Sequence, residues 1–121
     1  MFSRFPKDDH TFTWTRHIKN KMMFYGLSES RIRAVLREPK RVEEGIAPRT
    51  TAAMRRNDKN KKKEEIWIMY QKATNKRKLG GPKILMISAW RYPGVSKAGA
   101  PIPIPEDIVA ELNSSEEVGS G

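Results

Sequence analysis

Two stretches of this chain, Ile66-Trp67-Ile68-Met69-Tyr70 and Ile84-Leu85-Met86-Ile87-Ser88-Ala89-Trp90, are apolar at both sets of alternating positions. Successive side chains of an extended chain point to opposite faces, so neither stretch has a face to give to water. Each is predicted to lie inside a sheet that is shielded on both sides. The polar connection between them, Ala73 to Pro82, carries Lys76-Arg77-Lys78 and ends in Gly80-Gly81-Pro82, a loop signature. With 121 residues and a mean hydropathy of −0.71, the chain has material for one small domain with a small core.

Helices upstream can shield one face. Trp14, Ile18, Met22 and Tyr25 follow helical spacing and line one stripe. Thr13 or Thr15 can cap the start of that helix, and Gly26 suits a left-handed position after its end. A second helix is predicted from Ser28, a good N-cap, to the stop at Pro39. Ile32, Val35 and Leu36 form its buried stripe, while Arg31, Arg33 and Arg37 fall off it toward solvent or a partner. The short link through Gly26-Leu27 makes the two helices a hairpin.

Beyond Pro39 the pattern turns extended. Lys40 to Glu44 reads as a short strand. Thr50 to Arg56 is β-tolerant but weakly apolar, as an exposed or edge strand would be. Asn57 to Lys63 is a polar turn containing Lys61-Lys62-Lys63. The expected fold is α+β: an N-terminal helix hairpin on one face of an antiparallel sheet of about four strands. The other face calls for a second cover, supplied by the C-terminal segment, a partner or a ligand.

The flanks read differently. Residues 1–12 lack periodicity and form an arm; its Asp8-Asp9-His10 cluster is a poor metal-ligand set, and no metal or cofactor is expected. Residues 13–94 make the single domain. Residues 95–121 are a proline-rich, acidic extension: Pro101 to Pro105 is expected to be extended, Glu106 to Leu112 to make one or two helical turns behind Pro105, and the remainder is expected to be disordered. The chain has no cysteine, which excludes disulfide and thiolate-zinc chemistry. Met1 to Asp9 include no apolar stretch, so no signal peptide is expected, and no run is long enough to span a bilayer, so a cytoplasmic protein without a membrane partner is expected.

The net charge is +10, and it is unevenly placed. Residues 1–97 hold all 24 Lys and Arg and 9 of the 14 Asp and Glu, a net of +15. The remaining 5 acids lie in residues 98–121, which hold no base. Such a body attracts polyanions through counterion release, so RNA, DNA or an acidic protein is the natural partner. The acidic extension can also fold across a basic sheet face in cis, as a mimic of such a partner.

The histidine-led helix Arg16-His17-Ile18-Lys19-Asn20-Lys21-Met22 ending at Gly26-Leu27-Ser28, the second helix closed by Glu38-Pro39 and followed by Arg41-Val42-Glu43-Glu44, and the two apolar strands together resemble the small bacterial BrnT-like domains. These are grouped with the RelE/ParE toxin superfold. The resemblance spans residues 13–92. It implies RNA or the ribosome as ligand and an acidic antitoxin as partner, since RelE-like members cleave messenger RNA and are neutralised in this way. ParE-like members act on DNA gyrase instead.

Metal-free RNA cleavage needs a base for the 2′-hydroxyl, cations for the pentavalent phosphate and an acid for the leaving oxygen. RelE-like enzymes meet this scheme with lysines, arginines and a tyrosine. By type and location the matching candidates are Arg55, Arg91 and Tyr92, with His17 as a base in a BrnT-like arrangement. The alternative for His17 is a hydrogen-bonded position at the margin of the helix–sheet core. Arg55 and Arg56 point to opposite faces if strand-borne. Arg56, Lys61, Lys62, Lys63, Lys76, Arg77 and Lys78 are the expected nucleic-acid contacts, giving salt-dependent affinity without specificity. A non-catalytic binding module remains the other reading of the same residues.

Overall fold

The computed structural model describes residues 6–72 and 83–112. The order is β1 (Phe12–Trp14), α1 (Arg16–Tyr25), α2 (Glu29–Arg37), β2 (Arg41–Glu44), β3 (Thr51–Arg56), β4 (Glu64–Lys72) and β5 (Ile84–Pro93), followed by a short helix, α3, over residues 106–112. The class is α+β. The sheet is mixed and five-stranded, in the order β1-β5-β4-β3-β2. No helix among the described residues is long and apolar enough to cross a membrane.

Local chemistry sets both helix hairpin elements. Thr15 and Ser28 are extended N-caps whose hydroxyls accept from the backbone N–H of Ile18 and Arg31. Gly26 closes α1 at φ 67°, a left-handed conformation that costs a side-chain-bearing residue steric strain.

Three expectations are corrected. The sheet has five strands rather than about four, and β1 runs parallel to β5, pairing Phe12 with Ile84 and Trp14 with Met86. Residues 12–14 therefore belong to the sheet, not to an arm or to the helix that follows. Trp14 is still buried, but as a strand residue whose N–H donates to Asp8 Oδ1. Finally, β3 is an interior strand between β2 and β4. Its Ala52 and Ala53 look weakly apolar in the sequence, yet both are fully buried because small side chains let neighbouring layers approach closely.

The two apolar strands are the centre of the sheet, as their composition requires. Ile66, Ile68 and Tyr70 of β4 and Met86 and Ala89 of β5 face the helices, where Ile18, Met22, Ile32 and Val35 complete one core cluster. Trp67, Met69 and Trp90 face the other way, with Ala52 and Met54. The rings of Trp67 and Trp90 stack at 6.1 Å. The chain covers this second face itself: Ile108 of α3 is fully buried there, and Ile102, Ile104 and Leu112 pack around it. Trp90 Nε1 donates to the carbonyl of Pro103 at 2.8 Å, fixing the proline-rich entry of the strap.

Candidate nucleic-acid interface

One end of the sheet gathers the basic residues, and the β3–β4 hairpin builds it. The backbone N–H of Asn57 donates to the carbonyl of Glu64 at 2.8 Å, and Asn60 takes a positive φ of 54° at the tip. Asp58 Oδ1 accepts from the N–H of Glu64 and from the Arg56 guanidinium, so the acid of the turn is consumed inside it. Lys59, Lys61, Lys62 and Lys63 are exposed. Among the described residues none of these four is paired with a carboxylate.

Two clefts of about 420 Å³ flank this hairpin. One lies toward α2: Ala34, Val35 and Ile66 floor it, and Ser28, Arg31, Arg55 and Asn57 rim it. Arg31 donates to Asn57 Oδ1 at 2.5 Å across its mouth. The other lies toward β5, between Lys59, Lys62, Lys63 and Arg91. Asn57 lines both, so the two form one basic surface.

The structure brings some of the sequence candidates together and separates others. Arg55 pairs with Ile66, and Ile66 with Arg91, in register across three strands. The two arginines therefore share one face and one row, about 9–10 Å apart at the backbone. Each is anchored. Arg55 donates to the Glu38 carbonyl and approaches the Glu38 carboxylate at 3.2 Å. Arg91 donates to the carbonyls of Tyr25 and Gly26 at 2.6 and 3.0 Å and to Glu64 at 2.8 Å, clamping the C-terminus of α1 onto β5.

Arg56 and Tyr92 face the other side of the sheet. Arg56 donates to the fully buried Glu65, whose other contacts are Trp67 Nε1 and both donors of Ser96. Tyr92 is half-buried beside the tryptophan cluster. Lys76, Arg77 and Lys78 lie outside the described residues.

His17 stands apart from this surface. It sits in the first turn of α1, whereas Arg91 grips the end of that helix, about 13 Å further along the axis. Its Nε2 is 2.8 Å from Ser88 Oγ and its Nδ1 is 3.1 Å from Glu111 Oε1. Burial holds its pKa below the ordinary histidine value; Lys21 adds to that shift and Glu111 opposes it. One and two turns on, Lys21 and Tyr25 complete the same face of α1. Lys21 donates to Asp107 at 2.7 Å and to Glu111 at 2.9 Å. Burial pushes the Lys21 ammonium down, but these two bonds outweigh it and its pKa is raised.

The described part of the acidic extension therefore lies on the apolar sheet face and on α1, not over the hairpin lysines. The Asp8-Asp9-His10 cluster is also accounted for, since Asp8 accepts from Trp14 N–H and Asp9 from the N–H groups of Thr11 and Phe12. No group of three or more metal-ligating side chains occurs among the described residues. Among the cleft residues that sequence reasoning did not single out are Lys59 and Asn57, although both stand in the turn that held the flagged lysines. Comparison with protein-family models, with curated proteins and with solved structures gives no match.

Proposed function

We propose that this chain binds RNA through the basic end of its sheet, as a RelE/BrnT-like toxin-module protein. The observation that carries the reading is the β3–β4 hairpin, which presents four exposed lysines between two clefts rimmed by Arg31, Arg55 and Arg91. Unpaired cations on a hydrogen-bonded turn are suited to phosphates, since they lose no ion pair when a polyanion arrives. An acidic antitoxin is the protein partner for the same surface, and the ribosome is the setting in which a RelE-like module would meet its RNA.

A second reading, metal-free strand cleavage, is favoured by the shared row of Arg55 and Arg91, two guanidiniums on one face, each lining one of the two clefts. In that reading the centre is arginine-based, and His17 is not part of it. The two readings separate in one experiment. Purified protein is titrated with labelled RNA across a salt series, and the same RNA on ribosomes is probed for cleavage. Salt-sensitive binding without discrete products supports the binding module. Discrete products that vanish in Arg55→Ala and persist in His17→Gln support cleavage. Affinity that ignores both salt and loss of Lys61, Lys62 and Lys63 removes the RNA reading.

A further inference from the structure

Two large apolar side chains remain in water on a helix that otherwise buries its apolar residues. Phe24 is 71% exposed and Met23 64%. Adjacent in sequence, the two form one exposed apolar surface rather than scattered single residues. The Phe24 ring is held in place: it meets Tyr25 edge-to-face at 4.9 Å, and the Lys21 ammonium lies 5.2 Å from its centroid. A positioned aromatic surface of this kind loses little entropy on binding.

Its place in the molecule names the occupant. Phe24 stands in the last turn of α1, one residue before the carbonyl that Arg91 grips, and Arg91 also lines the cleft with Lys59, Lys62 and Lys63. α1 itself contains no Asp or Glu. The nearest carboxylates across from it, Asp107 and Glu111, share the single Lys21 ammonium, so the positive charge at this end of α1 is that of Arg91 and the hairpin lysines. A polyanion that also carries flat π faces can meet the lysine-lined cleft with its phosphates and the exposed ring with a base.

We propose that Phe24, with Met23 beside it, is a stacking platform for an unpaired base of the strand whose phosphates lie along the hairpin lysines. This rests on the RNA-binding reading and deepens it: the preferred ligand is single-stranded, because a duplex keeps its base faces stacked internally.

The test compares a short single-stranded RNA with a duplex of the same length by fluorescence anisotropy, at several salt concentrations. Phe24→Ala is expected to weaken single-strand binding about tenfold, to leave duplex binding unchanged, and to leave the salt slope as it is. Phe24→Trp is expected to keep the affinity, with its emission quenched on adding single-stranded RNA. Equal single-strand affinity for Phe24→Ala and the unsubstituted protein, with weakened binding in the Lys61/Lys62/Lys63→Ala variant, overturns the platform and leaves the RNA reading standing. Self-association that disappears in Phe24→Ala without a change in RNA affinity also overturns it and assigns the patch to a second copy. Loss of salt-sensitive binding throughout removes the RNA reading and the platform with it. Phe24 is exposed, so unchanged circular dichroism is the folding control.

Discussion

At the scale of single residues, Arg91 and His17 show how a side chain that reads as chemistry can be committed to architecture. Arg91 satisfies two of the carbonyls that a helix end leaves without partners, and it does so from the neighbouring strand. Arg91→Ala is expected to lower unfolding stability by about 2 kcal/mol, because two carbonyls and the Glu64 carboxylate lose a donor. Arg91→Lys should recover little of that, since an ammonium cannot reproduce the fork of donors. Urea unfolding monitored by circular dichroism measures both. For His17 the prediction concerns pH. Its folded-state pKa lies below the ordinary 6.5, so on acidification the unfolded chain takes up the proton first. The stability that neutral His17 contributes is complete above about pH 6.5 and is lost as pH falls through the window below it. The melting temperature should therefore drop between about pH 7.5 and about pH 5.5, and drop less in His17→Gln. The caps Thr15 and Ser28 were legible in the sequence because their partners lie three residues away. The anchoring of Arg91 was not, because its carbonyl partners are 65 and 66 residues away.

At the scale of elements, the β3–β4 hairpin is the unit on which the proposed RNA binding rests. Removing Lys61, Lys62 and Lys63 together should reduce the slope of log affinity against log salt by about 2 for a single strand, since each phosphate contact contributes about 0.7. Fitted slopes for the unsubstituted and triple-alanine proteins check this, and an unchanged slope places the RNA elsewhere. Both central strands were legible from their two-sided apolar pattern, and so was the polar turn before β4. β1 was not. Three residues are too few to show a period, and their strand identity comes from pairing in parallel with β5 across some seventy residues. β3 was read as an edge because alanine carries little hydropathic signal, whereas it lies between β2 and β4, with Ala53 under the helix-side cluster and Ala52 under the tryptophan-side cluster.

At the scale of the whole molecule, the chain supplies its own second cover. Residues 101–112 seal Trp67 and Trp90 from water, and Ile108 is the centre of that seal. Ile108→Ala should cost about 2–5 kcal/mol, as for other buried aliphatic truncations. Thermal or denaturant unfolding measures the loss, and a red shift of tryptophan emission before the global transition would show the strap lifting first. The sequence by itself determined that a sheet with two interior strands must be covered on both faces, that a capped helix hairpin supplies one cover, and that the body is strongly basic. These follow from residue type and local spacing, which act over a few positions. Only the tertiary structure decided which segment makes the second cover, that its acids meet Lys21 rather than the hairpin lysines, and that Arg55 and Arg91 share a row from which His17 is excluded. Those outcomes depend on contacts between residues far apart in sequence, where the free energy comes from burial and pairing that no local pattern encodes.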